Sequence, residues 1–375
     1  MKKIILFLTL LLLTGCSDYV EINELAVATG MALDYKNNEF TVTLQIIDQQ
    51  SKEAQNKMIL FEAKAESIDK AIGKISKLAN KKIFISHLKA IIISPEIIEK
   101  QINYQDYFIR DPKSKMNFFV YTTNDLNPKD ILESQTNSEV SSMYLDSLLS
   151  FNEDVYSSSV ELKFFNLLLE SLDQGKNVVY PVITFKDKEK KKDIILENLI
   201  TYNYKNKKLT LNEKESITYN ILTNNAKETI IDINCDNKKF SLSLDDIKTK
   251  FSWKNNIFNI DTTLGGSLGS YECEKPLTDK DAEKYINDLA YKTLQDNINN
   301  LIKKAKENEN DFLGIGNHIY KFDYSYFNFK KNNWDQKLKD IDIKTKLTLN
   351  IISKGEARFN MEGEKQWKSK LIVLA

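Results

Sequence analysis

The chain has little of what metal and redox sites require. It carries two histidines and three cysteines in 375 residues, too few for a Cys/His zinc cluster once Cys16 is assigned as below. No Asp-rich loop with calcium-binding spacing occurs, so no metal site is expected. Neither sign of charge is in excess. The 53 basic residues balance 53 acidic ones, and no global field recruits nucleic acid or an anionic surface. Long apolar runs are missing too. Beyond the first residues no stretch approaches the ~18 apolar residues of a membrane-spanning helix, and residues 88–93 read as one short buried strand. Nucleophile elbow, P-loop and dinucleotide glycine fingerprint are all absent. Residues 265–269 are glycine-rich but lead into no lysine and no immediate helix, so they read as a flexible turn rather than a phosphate cradle. Carboxylate pairs such as Asp245 with Asp246 and Glu213 with Glu215 are expected by coincidence among 53 acidic residues. The expectation is a chain that is not an enzyme and holds no cofactor.

What is present begins with a leader. Lys2 and Lys3 precede an apolar run over 4–13, broken only by Thr9. About ten residues at 1.5 Å rise cross only half of a ~30 Å hydrocarbon core, which fits a signal peptide and not a spanning helix. The run ends in Leu13-Thr14-Gly15-Cys16, small residues before a thiol, which closely resembles the bacterial lipobox. Residues 1–15 are thus expected to be cleaved off and Cys16 to carry a covalent diacylglycerol lipid. Two acyl chains anchor stably where one does not. The mature chain, about 360 residues, is long enough for two or three domains with their own cores.

Periodicity predicts an α+β, multi-domain ectodomain: mixed β-sheets flanked by helices, with one long helix in the C-terminal domain. In the first domain, 16–130, strands over 26–33 and 40–46 flank a turn, a hairpin. A helix follows over 68–79 with Ser67 as N-cap. Then come one strand over 84–94, a helix over 97–107 and a strand over 117–123. The middle region, 131–193, reads as helices over 131–149 and 160–172 and a strand over 178–185, ending in the charge run 186–193 as linker. The C-terminal domain, 194–375, alternates strands and turns. Its long helix, about 279–307, is capped by Thr278 with Asp281 completing a capping box, and a strand with Ile341, Ile343, Leu347, Leu349 and Ile351 on one face follows. Cys235 and Cys273 would close a loop of about 39 residues if bonded; spacing leaves a disulfide and two separate thiols equally open.

Four places are more specific. His87 lies beside a buried strand and reads as a hydrogen-bonded structural residue, with a ligand or proton switch as the rival reading. Arg110 and Asp111 follow an aromatic-rich helix and read as a local ion pair. Asp311, Gly314 and Gly316 sit where the long helix ends; a left-handed glycine would stop the helix and Asp311 would accept backbone N–H bonds. Trp334 reads as a core anchor.

These places, with the residues behind the lipobox, resemble the Ger(x)C family, the lipoprotein C subunits of spore germinant receptors. Cys16-Ser17-Asp18, then Glu21-Ile22 and Thr29-Gly30, follow that family's start. Phe84 to His87 matches its Phe-x-x-His strand and Arg110-Asp111 its Arg-Asp doublet. Leu211-Asn212-Glu213-Lys214-Glu215-Ser216 resembles its mid-chain segment. Asp311-x-x-Gly314-x-Gly316 and Trp334 resemble its C-terminal signature. Ser17 stands where the family has tryptophan and Asn198 where glycine is common, and the tail 363–375 is particular to this chain. The resemblance implies a non-catalytic ectodomain on the outer face of the spore inner membrane, complexed with two multi-pass subunits, A and B. From the residues alone, a solute-binding or cell-wall-active lipoprotein is the competing reading, its aromatics lining a pocket.

Overall fold

The computed structural model describes residues 24–47, 58–134, 140–188, 191–274, 281–330 and 334–352. Cys16 and Ser17, the cap Thr278 and the tail lie outside them. The fold is α+β, built on two sheets. In chain order the elements are β1 (Leu25–Lys36), β2 (Glu39–Ile47), β3 (Met58–Ala65), α1 (Ile68–Ala79), β4 (Lys82–Phe84), β5 (Ala90–Ile93), α2 (Pro95–Glu99), α3 (Gln105–Arg110), β6 (Phe119–Thr122), α4 (Pro128–Glu133), α5 (Ser141–Val155), α6 (Phe164–Leu172), β7 (Val179–Lys188), β8 (Lys191–Tyr202), β9 (Lys208–Leu211), α7 (Glu213–Leu222), β10 (Thr229–Cys235), β11 (Lys238–Lys254), β12 (Ile257–Tyr271), α8 (Ala282–Glu307), α9 (Ile315–Phe322), α10 (Tyr324–Lys330), α11 (Trp334–Lys337) and β13 (Asp342–Ile352).

The first sheet has nine strands in the order β3-β2-β1-β5-β6-β7-β8-β9, with β4 also paired to β1. Alternate residues of its strands feed two cores. Met31, Leu33, Val42, Leu44, Ile91, Ile93 and Val120 face α1, α3 and α6, while Ala32, Ile92, Tyr121 and Ile183 face α4 and α5. The β1–β2 turn uses Asn37 and Asn38 at φ 54° and 63°, and the β11–β12 turn uses Asn255 and Asn256 at 52° and 59°. Paired left-handed residues are what a two-residue hairpin with the right-handed strand twist needs, and asparagine tolerates them.

The second sheet runs β10-β11-β12-β13. One face is covered by α8, whose Ile286, Ala290, Leu294, Ile298, Leu301 and Ala305 are buried at helical spacing. Its core is continuous with Val179, Leu199 and Leu211 of the first sheet.

Several expectations are corrected. The charge run 186–193 is not a linker: Lys186 pairs with Asp193 and Lys188 with Lys191 at the tip of the β7–β8 hairpin, and the first sheet continues through β9. The single strand over 84–94 is two, β4 and β5, because residues 85–88 leave β1 as a turn before Lys89 returns to it with its N–H on the Thr29 carbonyl. The helix over 97–107 is two short ones, α2 and α3, broken at Gln101, which takes φ 51°. The predicted helix over 131–149 divides into α4 and α5, and that over 160–172 begins only at Phe164, because Lys163 bridges Phe119 as extended chain. The long helix starts at Ala282, three residues late, and its N-cap position, Asp281, makes no side-chain cap bond. Residues 265–269 are not a turn but lie within β12. A Cβ on Gly266 would sit 2.1 Å from the Ser243 carbonyl oxygen, so glycine there permits close strand approach at the bulge between Leu244 and Asp246.

Candidate functional site

The site grows from the end of α8. Asn308 caps the helix at φ −93°, and Glu309 at φ 51° turns the chain; the left-handed residue is thus Glu309 and not a glycine. This turn drives Asn310 and Asp311 inward, where both are 0% exposed. The Asp311 carboxylate accepts from the backbone N–H of Ile315 at 2.9 Å and of Gly316 at 2.6 Å, and from Trp334 Nε1 at 2.7 Å. Burial pushes its pKa up to about 6, against the lowering effect of those donors.

The glycines have separate tasks. Gly314, at φ +73°, starts α9, with the aliphatic part of Lys176 close by. Gly316 makes room for the indole, since a Cβ there would stand 2.3 Å from Trp334 Nε1. Across from it, Gly175 at φ +70° brings its carbonyl to the Asn317 N–H at 2.9 Å.

Residues that sequence reasoning missed complete the cluster. Asn177 donates its backbone N–H to the Asp311 carbonyl at 2.9 Å. Its side-chain amide donates to Asn310 Oδ1 at 3.0 Å and Asp335 Oδ2 at 3.1 Å. Thr201 donates to Asn310 Oδ1 at 3.3 Å. Asn203 reaches the Asn308 carbonyl at 3.0 Å, and the Tyr204 N–H donates to Asp335 Oδ2 at 3.1 Å. Burial raises the Asp335 pKa as well. Asn310 and Asp335 adjoin Asp311 and Trp334 in sequence, a signal that could have flagged them. Asn177 carries none, because its partners lie more than a hundred residues away.

The loop after α6, the end of β8, and α9 and α11 are therefore joined through one buried polar junction. Both Asp311 oxygens accept from donors of the chain itself, and the Asp335 carboxylate shares the cluster, accepting from Asn177 and Tyr204. The network holds elements of the two sheets in one register.

The other expected residues lie elsewhere. Glu215 forms a capping box with Asn212 at the start of α7 and pairs with Lys304 of α8 at 2.6 Å, while Lys304 also donates to the Thr210 carbonyl. Arg110 pairs with Asp106 at 2.8 Å and not with Asp111: residues four apart share a helix face, whereas neighbours diverge. Asp111 instead accepts from the Lys113 N–H at 2.9 Å. His87 is exposed on the turn after β4, its ring 5.6 Å from that of Phe84, and not a buried hydrogen-bonded residue. Cys235 and Cys273 form a disulfide with Cα atoms 5.8 Å apart, brought together because β10 and β12 both pair with β11. Among the described residues no group of three or more His, Cys, Asp or Glu is placed to hold a metal ion, and no helix is long and apolar enough to cross a membrane.

Comparison with known proteins places both halves of the junction. Residues 18–185 match the family model for the spore germination protein N-terminal domain, and residues 201–355 that for the spore germination B3/GerAC-like C-terminal domain. Spore germination protein KC of Bacillus subtilis (strain 168) is 21% identical over 369 residues, 89% of this chain and 90% of its own length. Spore germination protein A3 of the same organism is 28% identical over 157 residues, 40% of this chain and 42% of its own length. The crystal structure of the GerBC protein shares the fold, with a TM-score of 0.54 at 15% identity over 89% of this chain and all of that one. Asn177 lies in the first matched segment, and Asp311 and Trp334 in the second. The chain belongs to the Ger(x)C family of spore germination proteins.

Proposed function

We propose that this chain is the lipid-anchored, non-catalytic subunit of a spore germinant receptor, needed for nutrient-triggered germination. The observation that carries the reading is the order of parts on one chain. The first family match opens at residue 18, directly behind the Leu13-Thr14-Gly15-Cys16 lipobox, and the second follows it to residue 355. A lipid on Cys16 would hold the ectodomain on the outer face of the spore inner membrane beside the multi-pass A and B subunits. The buried junction supports a structural role, because its carboxylate is occupied by its own chain.

Deletion of the gene is expected to abolish germination on a nutrient while sporulation proceeds; a normal germinant response in the deletion strain refutes the reading. Cys16→Ala should release the protein from the membrane fraction, and retention of the unlipidated chain there would refute the anchoring.

A further inference from the structure

Net charge is zero over the chain, but it is not evenly spread. From Lys70 to Lys89 there are six lysines and no aspartate or glutamate. The structure turns this run into a surface. Lys70, Lys74, Lys77 and Lys81 recur at helical spacing along the exposed side of α1 and just past its end, opposite the buried Ile68, Ala71 and Ile75. Lys70 is taken up by Glu66, and Lys74 donates to the Lys64 carbonyl. Lys77, Lys81 and Lys82 are exposed and form no ion pair among the described residues. Leu78, between them, is 63% exposed.

The position of these lysines matters as much as their number. Asn80 at φ 49° ends α1, and the chain turns directly into β4. There Lys82 is the Cα partner of Leu25, the first residue of β1. The basic end of α1 thus lies where the chain arrives from Cys16. Leu25 is nine residues on from Cys16, and a fully extended chain of that length spans at most about 30 Å. Among the described residues the exposed Glu24 stands at the same end, and the sequence between it and Cys16 carries two further acids, Asp18 and Glu21.

We infer that the exposed face of α1 around Lys77, Leu78, Lys81 and Lys82 is a docking surface for anionic phospholipid headgroups, which orients the ectodomain on its membrane. This rests on the anchoring proposed above, since the tether is what keeps the patch near lipid. The lysines supply attraction that acts within a Debye length of about 8 Å, and Leu78 supplies an apolar contact at the headgroup boundary. The tether fixes distance and the patch fixes which face turns inward.

The test uses a chain beginning at Ser17. Among the described residues every buried core residue lies at Ala26 or beyond, so this chain keeps all of that packing and cannot bind through lipid. It should sediment with vesicles containing one-third phosphatidylglycerol, less so as salt rises, and not with pure phosphatidylcholine. Each lysine strengthens such binding about fivefold, so the combined variant Lys77→Gln, Lys81→Gln, Lys82→Gln should bind about a hundredfold more weakly. A control combining Lys238→Gln, Lys250→Gln and Lys254→Gln, on the second sheet, should bind as the unaltered chain does. Absence of binding to anionic vesicles, equal loss in the control, or unchanged binding by the α1 variant overturns the inference. So does an α1 variant that binds vesicles normally but blocks germination, which assigns the face to a protein partner. None of these outcomes depends on Cys16, whose own variant tests the anchor separately.

Discussion

Asp311 offers the most demanding test of the junction. Its carboxylate is fully buried and takes three hydrogen bonds, from Ile315, Gly316 and Trp334. Removing it by Asp311→Ala orphans three buried donors at about 1–3 kcal/mol each. Part of this is regained, because keeping a buried carboxylate charged at pH 7, with a pKa of about 6 in place of 3.8, costs about 3 kcal/mol. The expected net loss is about 3 kcal/mol at pH 7. Asp311→Asn should differ. Its amide oxygen can serve both Gly316 and Trp334, and only the Ile315 N–H faces an NH₂ group, so the loss of one bond roughly cancels the relief of charge. The variant should lie within about 2 kcal/mol of the parent at pH 7. The pH dependence carries the sign. Between pH 4 and pH 6 the folded chain holds a proton that the unfolded chain has released, so this group's contribution is full below its unfolded pKa and is lost as pH rises through about 6. On going from pH 7 to pH 4.5 the parent should therefore gain about 2 kcal/mol relative to either variant. Urea unfolding at the two pH values, followed by tryptophan emission, measures this directly, since Trp334 is itself a ligand of the carboxylate. Equal losses for Asp311→Asn and Asp311→Ala, or a parent-minus-Asn difference that does not move with pH, would refute the reasoning.

Gly316→Ala should push a methyl group into the indole, break the Trp334 bond to Asp311 and cost about 3 kcal/mol from overpacking and one lost charged bond; an unchanged tryptophan emission and unfolding midpoint would contradict it. Glu215→Ala removes both the α7 capping box and the Lys304 pair, for an expected loss of about 1–2 kcal/mol. Glu215→Gln should keep part of the box and lose less in the same denaturation series. Cys235→Ser should cost about 4 kcal/mol for a loop of 38 residues' separation. The variant's midpoint should no longer respond to reductant, whereas that of the parent should fall to a similar value.

Legibility in the sequence followed the range of the interaction. Elements that bury one face against a neighbour announced themselves by period, as in the β1–β2 hairpin, α1 with its Ser67 cap and the length of α8. Boundaries failed where distant contacts decide them. The break between β4 and β5 depends on where β1 accepts a partner, and the pairing of 186–188 with 191–193 depends on β7 and β8 already being neighbours; a charge run without that context reads as a linker. Glycine was misread for the same reason. In residues 265–269 it marks a close approach to Ser243, which is more than twenty residues away in the chain, and not freedom of the local backbone. The site was legible as fragments. Asp311 promised backbone bonds and Trp334 a core anchor, and both were local, whereas the left-handed glycine expected to stop the long helix instead starts α9, and Glu309 turns the chain. That Gly316 exists to admit the indole, and that Asn177 from the first matched segment closes the cluster, are facts of tertiary geometry with no periodic trace. Both halves of the family match meet in this one buried network. Asn177→Ala on the first half should accordingly show a non-additive loss with Asp311→Asn on the second, which residues in separately stable domains would not.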